Sequence, residues 1–302
     1  MTASAVVFAY HNVGVRCLQT LLARGIDVKL VVTHEDNPNE NIWFDNVASV
    51  AARHGIPAIT PADANDEATM ARIATIAPDF IFSFYYRNML KMPLLDLAKR
   101  GAYNMHGSLL PKYRGRVPVN WAVLHGETEI GATLHRMAEK PDAGEIVTQQ
   151  AVPILPDDTA HEVFQKVTVA AEIALYDALP ELIAGTAPHR PQDLAAGSYF
   201  SGRKPEDGRI DWTQSAAQIH NLVRAVAPPY PGAFSDTPRG ELRILRSQVL
   251  NRKSDGSPKL FAENGILLAT CGDGGTLRIL DATLAGQAFN ASTCGADTIS
   301  LI

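Results

Sequence analysis

The order of apolar segments in the first third of the chain limits the fold most strongly. Four short apolar runs, "AVVFA" (5–9), "VKLVV" (28–32), "IPAIT" (56–60) and "DFIFSF" (79–84), alternate with stretches of helical period over 13–23, 44–54 and 67–77. Runs that are apolar on both faces are typical of strands in a parallel sheet covered by helices. We therefore predict an α/β fold with an open, mostly parallel, Rossmann-like sheet and helices on both faces.

The pattern changes towards the C-terminus. The runs at 131–137 and 145–152 predict a hairpin, and a long helix is predicted over 159–184 with Asp158 as its N-cap. A stretch rich in Pro, Gly, Ser and charge follows, and beyond it one helix precedes short strands separated by turns. We predict a first domain over 1–202 and a small C-terminal β-barrel domain, OB-like, over 203–302.

Composition excludes several classes of protein. The net charge of −5 over 302 residues argues against a cationic surface for nucleic acid. Cys17, Cys271 and Cys294 form no C-x-x-C pair, so we expect buried free thiols and neither a disulfide framework nor a metal site. No apolar run approaches the ~20 residues of a membrane span and no secretion signal is present, so we expect a cytoplasmic protein.

The segment "NMHGSLLPKYRGR" (104–116) is the first candidate for a functional site. Asn104 and His106 are two residues apart at the end of a predicted strand, so both side chains project from the same face. Gly107 then permits a sharp turn. Ligands of open α/β sheets bind beyond the carboxyl ends of the strands, so we predict that this pair faces a ligand.

An amide beside an imidazole suits transfer of an acyl-type carbon to a nucleophile. Asn104 can donate a hydrogen bond to a developing oxyanion, and His106 can accept and return a proton. Asp142, in "EKPDAGEIV", would complete the group if it bonds to His106; its competing interpretation is an ordinary turn-forming aspartate. Ser108 is a nucleophile by residue type only, because no G-x-S-x-G sequence surrounds it.

The two blocks "NMHGSLLPKYRGRVPVNWA" and "TLHRMAEKPDAGEIV" resemble the folate-dependent formyltransferases. Within that family, "VVFAYHNVG", "THEDNP" and "HNLVRAVAPPYPGAF" are most similar to the formyltransferases that act on UDP-4-amino-4-deoxy-L-arabinose, in lipid A modification and polymyxin resistance. The resemblance implies a stand-alone formyltransferase, with a catalytic domain over 1–202 and 10-formyltetrahydrofolate as co-substrate. It implies no metal. Whether the chain forms a homo-oligomer stays open.

The resemblance also implies roles for individual positions. It makes Asn104, His106 and Asp142 the catalytic residues. The positions that match the family's folate-binding segments are Asn88, Met89, Leu90, Arg116, Ala138, Glu139, Lys140 and Pro141. Arg203 and Tyr230 are further candidates, for the diphosphate and the base of a nucleotide sugar; a structural turn is the competing interpretation of Tyr230.

Other features receive less specific interpretations. Lys112 and Arg114 are predicted to lie on an exposed loop, with a phosphate or the folate glutamate tail as alternative partners. Tyr85 and Tyr86 are interpreted as packing residues, and His135 as a structural residue of its strand. The first strand-to-helix turn, "AYHNVG", lacks G-x-G-x-x-G, so no NAD is predicted.

Three alternative functions stay open. Methionyl-tRNA formyltransferase shares the catalytic motif but needs a cationic surface for RNA. Formylation of another dTDP- or GDP-linked amino sugar is a second alternative. A folate- or nucleotide-binding module without catalysis is the third, and the presence of Asn, His and Asp argues against it.

Overall fold

The computed structural model describes residues 2–254 and 257–301 and contains two compact units. The first consists of Met1–Pro118, Glu129–Val152 and Gln165–Phe200. The second consists of Val119–Thr128, Pro153–Phe164 and Ser201–Ile302.

Strands and helices alternate through the first half of the chain, and strands dominate the last third. In chain order the described elements are β1 (Ser4–Ala9), α1 (His11–Ala23), β2 (Asp27–Val32), α2 (Val47–Arg53), β3 (Ala58–Ile59), α3 (Glu67–Ile76), β4 (Phe80–Phe84), α4 (Met92–Leu95), β5 (Ala102–His106), β6 (Arg114–Gly115), α5 (Pro118–Leu124), β7 (Glu129–Arg136), β8 (Ile146–Pro153), α6 (Ala160–Ala184), β9 (Tyr199–Phe200), α7 (Ala216–Ala225), β10 (Ala233–Thr237), β11 (Gly240–Lys253), β12 (Lys259–Glu263), β13 (Ile266–Thr270), β14 (Gly275–Leu284), β15 (Gln287–Ala288), α8 (Ala291–Cys294) and β16 (Thr298–Ser300).

The first unit is built on one sheet with the strand order β3-β2-β1-β4-β5-β7-β8. The strands from β3 to β5 pair in parallel, whereas β5 and β7 pair antiparallel. The predicted hairpin of β7 and β8 is confirmed, because Arg136 N donates to Glu145 O where the two strands are joined. The predicted mostly parallel sheet is therefore confirmed.

Helices cover both faces of this sheet. Phe8 and Ile81 pack on one face against Ile73 of α3 and Leu94 of α4. Neighbouring residues of a strand point to opposite faces, and Gly14 of α1 packs closely against the next residue of β1, Ala9. The central strands β1 and β4 are almost fully buried because helices lie on both sides, which explains their continuous apolar sequence.

Helix boundaries differ from the predictions where a side chain satisfies the backbone. Helix α2 begins at residue 47 rather than 44, because the side chain of Asn46 accepts a hydrogen bond from Ser49 N. Helix α6 is capped by Thr159 rather than the predicted Asp158, since Thr159 Oγ1 accepts from Glu162 N at 3.3 Å. In both cases a polar side chain that accepts from the third residue beyond it sets the first turn.

The second unit is dominated by an antiparallel sheet with the strand order β10-β11-β14-β13-β12-β16. Helix α7 begins at a capping box formed by Ser215 and Gln218 and buries Ile219 and Val223. The largest side chain of this core is Trp212, whose Nε1 donates to Ser235 Oγ at 3.0 Å. The predicted small C-terminal β domain is confirmed.

Two predictions from composition concern the whole chain. Cys17, Cys271 and Cys294 are free and buried, as predicted. Within residues 2–254 and 257–301, no helix combines the length and the apolar character that a membrane crossing requires.

Candidate active site

The site begins with two side chains on β5. Asn104 and His106 lie on one face of the strand, and the antiparallel register places His135 of β7 opposite Asn104. Asn104 Nδ2 lies 3.1 Å from His135 Nε2. Strand alternation therefore places the predicted amide and imidazole together, and the register adds a second imidazole.

Asp142 reaches this pair through the loop between β7 and β8. Because β7 is antiparallel to β5, its last residue, Arg136, lies opposite Tyr103, away from the end of β5. The loop nevertheless returns over the sheet and brings Asp142 Oδ1 to 3.5 Å from His106 Nδ1. Asp142 Oδ2 accepts a hydrogen bond from Gly115 N at 2.9 Å. The predicted trio therefore converges on one point.

The Asp142 carboxylate is buried but strongly held in its ionised form. Its side chain is 15% exposed, and burial alone would raise its pKa. The nearby His106 imidazole and the hydrogen bond from Gly115 N outweigh that effect. They hold the pKa of Asp142 well below its ordinary value, so the carboxylate is a fixed negative charge at neutral pH.

The His106 ring is held between two acceptors. Its Nε2 donates to Tyr113 O at 2.8 Å, and its Nδ1 faces Asp142 Oδ1. A ring that carries protons on both nitrogens satisfies both contacts, and a ring that has released one proton satisfies one. Both ring nitrogens of His106 therefore face acceptors, and one of these acceptors is the ionised carboxylate of Asp142.

The interpretation of His135 as a structural residue of its strand stays a prediction, and its contacts place it beside the trio. Its Nδ1 donates to Arg136 O at 2.9 Å, and its Nε2 lies near both Asn104 and, at 3.6 Å, Asp142 Oδ1. The sequence gives one indication of this placement. His135 is two residues after Thr133 on the same strand, so the two side chains point to the same face of the sheet. This spacing does not show that His135 lies beside Asn104, because that depends on the register between β5 and β7.

The backbone around the site adopts conformations that are unfavourable for side-chain-bearing residues. Tyr85, Tyr113, Val117 and Asp142 all have positive φ, between 46° and 57°. Such a conformation is a clear outlier for β-branched Val117, and strain of this kind concentrates at functional sites. Gly107 has no such strain, but a Cβ there would displace the Tyr85 hydroxyl from its present position.

Ser108 is a structural residue of the turn. Its hydroxyl donates to Lys112 O at 2.7 Å, and the whole residue is buried. A hydroxyl committed to a carbonyl oxygen is not oriented as a nucleophile, because its proton has no base to accept it. Ser108 is therefore not placed to act as a nucleophile.

The residues that match folate-binding positions lie in the segments that follow β4, β6 and β7. Asn88, Met89 and Leu90 follow the carboxyl end of β4, where Met89 is 59% exposed and its carbonyl accepts from Asn65 Nδ2. The positions between β7 and Asp142 are exposed or half-buried and include Ala138, Glu139, Lys140 and Pro141. Arg116 is also exposed. Folate binding by these residues stays a prediction.

Arg114 departs from the expectation of an exposed basic loop. Lys112 is exposed, but Arg114 is only 7% exposed, and neither its Nε nor its Nη1 has a hydrogen-bond partner among the described residues. Arg114 is buried because it belongs to β6, which pairs with β9, and Arg114 N donates to Ser198 O. A buried guanidinium therefore lies one residue from Gly115, which binds the Asp142 carboxylate.

Rings cover the carboxyl ends of β1, β2 and β4. The His34 and Tyr86 rings stack at 4.1 Å, and the His11 and Phe44 rings stack at 4.0 Å. Tyr86 also meets Phe8 edge to face. These contacts agree with the interpretation of Tyr86 as a packing residue.

Arg203 and Tyr230 belong to the second unit. The Arg203 guanidinium lies 4.9 Å from the centre of the Trp121 ring, and its Nη2 donates to Asp207 O. Tyr230 packs against the core of that unit, and burial raises its pKa. Both residues have structural roles there, and their contacts with a substrate stay a prediction.

Metal ligation was not predicted for this chain. Among the described residues, no set of three His, Cys, Asp or Glu side chains is arranged to hold a metal ion.

Two family models together match most of the chain. Residues 5–179 match the formyl transferase family, and residues 203–294 match the formyl transferase C-terminal domain. The first match alone covers more than half of the chain and includes Asn104, His106 and Asp142. The chain belongs to the formyl transferase family.

Solved structures of similar fold include three formyltransferases. An N-formyltransferase from Helicobacter canadensis in complex with folinic acid and dTDP-3-aminofucose is 21% identical, with a TM-score of 0.71 over 96% of this chain and 100% of that one. The sugar 3N-formyltransferase WlaRD, solved with dTDP and 5-N-formyl-THF, is 21% identical, with a TM-score of 0.72 over 95% and 99%. A sugar N-formyltransferase from a Shewanella species is 19% identical, with a TM-score of 0.64 over 83% and 100%. At these identities the comparison shows a shared fold.

Proposed function

We propose that this chain transfers a formyl group from 10-formyltetrahydrofolate to the amine of a nucleotide-linked amino sugar. Its first candidate acceptor is UDP-4-amino-4-deoxy-L-arabinose. The observation that carries the proposal is the convergence of Asn104, His106 and Asp142 from two separate sequence blocks. A binding module would not need a buried, ionised carboxylate beside an imidazole, because that arrangement serves proton transfer.

The residues divide the reaction between them. The amine of the sugar attacks the formyl carbon, so that a new C–N bond forms and the bond to N10 of the folate breaks. Asn104 donates a hydrogen bond to the oxyanion that develops on the formyl oxygen. His106 assists the transfer of a proton from the attacking amine to the departing nitrogen, and the Asp142 carboxylate stabilises the protonated ring. Tetrahydrofolate and the N-formyl sugar are the products.

The positions around the trio suit the proposed co-substrate. Met89 and Leu90 can offer the folate ring only main-chain hydrogen bonds and apolar surface, because their side chains carry no nitrogen or oxygen. Arg116 is exposed and charged, which suits the carboxylates of the folate tail. Buried Arg114 with its unpaired nitrogens supports an anionic group close to the trio. These assignments rest on the family resemblance and on exposure.

A dTDP-linked amino sugar is the second candidate acceptor. Two structures with similar folds were solved with dTDP or a dTDP-amino sugar. The short sequence blocks favour the UDP-linked sugar, whereas the overall fold fits either nucleotide. Arg203 and Tyr230 are the proposed contacts for the diphosphate and the base.

A panel of acceptors tests the proposal. The protein is supplied with 10-formyltetrahydrofolate and, separately, with UDP-4-amino-4-deoxy-L-arabinose, dTDP-3-amino and dTDP-4-amino sugars, and methionyl-tRNA, and tetrahydrofolate release is followed by absorbance. We expect release with an amino-sugar nucleotide and the highest kcat/KM with the UDP-linked sugar. Release with tRNA alone would overturn the substrate class, and no release with any acceptor would favour the binding-module alternative.

A further inference from the structure

The hydrogen bonds of Asn104 suggest a role for a fourth residue. An oxyanion donor must be aimed, because a hydrogen bond weakens steeply as its angle departs from linearity. The side chain of Asn104 can rotate, and its Nδ2 carries two hydrogens. One of them is directed at His135 Nε2, 3.1 Å away, which leaves the other for a ligand.

The state of the His135 ring follows from its other nitrogen. Arg136 O can only accept, so the proton of His135 resides on Nδ1, 2.9 Å from that oxygen. A neutral ring then carries a lone pair on Nε2, which can accept from Asn104. Asp142 Oδ1 is farther from Nε2, at 3.6 Å, and a lone pair directed at a carboxylate makes no hydrogen bond.

The ring has little freedom to leave this position. Its side chain is 2% exposed, and the β5–β7 register sets its Cα directly opposite that of Asn104. The Arg136 carbonyl holds the His135 ring, and the ring in turn holds the Asn104 amide. The position of the Asn104 side chain is therefore restrained by β7.

We propose that His135 is a positioning residue that holds the Asn104 amide so that its second N–H faces the reacting carbonyl oxygen. This inference rests on the proposed function, because it assumes that Asn104 is the oxyanion donor. Because the side chain of His135 is buried, its proposed action is through Asn104 and not through a contact with a substrate. Its loss should therefore lower kcat and leave both KM values nearly unchanged, since positioning is needed most in the transition state.

Substitutions at residue 135 separate positioning from packing. In His135→Gln the side-chain amide replaces the position of Nε2 and can still accept from Asn104; in His135→Asn the amide replaces the position of Nδ1 and keeps only the contact to Arg136 O. His135→Met keeps the volume and neither bond. We expect a kcat within about threefold of wild type for Gln, and a loss of about tenfold or more for Asn and Met, part of the ~10²- to 10³-fold that an oxyanion donor supplies.

A second background tests whether the effect passes through Asn104. In an Asn104→Ala protein, adding His135→Met should cause no further loss of kcat, because the group that it positions is already absent. Thermal unfolding of each variant checks that it is folded. Wild-type kcat in His135→Met, equal losses in the Gln and Asn variants, or a full additional loss in the Asn104→Ala background would each overturn the proposal.

A spectroscopic measurement tests the contact without turnover. The two side-chain amide protons of Asn104 should differ in chemical shift in the wild type, and the shift of the bonded proton should change in His135→Met and persist in His135→Gln. Unchanged shifts in His135→Met would overturn the contact.

Failure of the proposed function gives a different result from failure of this inference. A wild type that releases no tetrahydrofolate would overturn the proposed function together with the positioning role of His135. An active enzyme that tolerates His135→Met would overturn the positioning role alone.

Discussion

The two units each bury a histidine with a carboxylate nearby, and the surroundings of the two rings differ. His106 in the first unit faces Asp142, whose side chain is 15% exposed, at 3.5 Å. His220 in the second unit has both nitrogens bonded to neutral groups, Ser247 Oγ and Pro156 O, each at 3.0 Å. Its nearest carboxylate, Asp157, is half exposed at 3.6 Å.

The difference supports the proposed catalytic role of His106 and a packing role for His220. At His220, burial lowers the pKa of the ring, and neutral partners at both nitrogens satisfy it as a packing residue. At His106, a buried ionised carboxylate is positioned to stabilise an added proton, which packing alone does not require. The proposed catalytic role of His106 therefore rests on the burial and charge of its partner, and not on burial of the ring alone.

Replacing His106 with glutamine should mainly lower kcat, whereas replacing His220 with glutamine should mainly lower stability. The largest effect on catalysis is expected at His106. Glutamine retains a hydrogen bond but cannot exchange a proton near neutral pH, so His106→Gln should lower kcat by about 10²- to 10⁴-fold. Its melting temperature should stay close to that of the wild type. Tetrahydrofolate release with the best acceptor of the panel measures the first effect, and calorimetry the second. Full turnover would remove His106 from the mechanism.

Asp142→Asn should reduce kcat by about 10²-fold or more, since an amide cannot balance the charge of the ring. It should also alter stability with pH. The folded-state pKa of Asp142 lies below its unfolded value, so its contribution is present above that value and is lost as pH falls through the folded pKa.

Denaturant unfolding of Asp142→Asn and wild type at several pH values measures this contribution. We expect the variant to be less stable by about 2 kcal/mol at pH 7, with the gap closing below about pH 4. A stability difference between the two proteins that stays constant from pH 7 to below pH 4 would show that the folded protein does not stabilise the ionised form of Asp142.

The smallest effect on catalysis is expected at His220. His220→Gln should leave kcat within about twofold and lower the free energy of unfolding by about 1–3 kcal/mol at pH 7, because Ser247 or Pro156 O loses a partner. The folded-state pKa of His220 is depressed, so its stabilising contribution is present above the unfolded pKa of ~6.5 and falls as pH drops below it.

The stability gap between wild type and His220→Gln should therefore narrow from pH 7 to pH 5. A gap that widens on acidification would reverse the assignment, and a large loss of kcat in a folded His220→Gln protein would break the comparison with His106.

Much of the fold and part of the site could be predicted from local sequence. The buried strands of the first sheet were predicted because each is a continuous apolar run, and the pairing of Asn104 with His106 because strand side chains repeat every two residues. Family resemblance added Asp142. The burial of Arg114 was missed, because it depends on pairing between β6 and β9, which are 85 residues apart in sequence.

The sequence by itself determined the elements and which residues share a face of a strand, because these depend on periods of two and 3.6 residues along the chain. Tertiary structure alone decided that β7 runs antiparallel to β5, that the following loop returns to carry Asp142 to His106, and that His135 lies against Asn104. Register between strands and the path of a loop arise from contacts between residues far apart in sequence, and no local period encodes them.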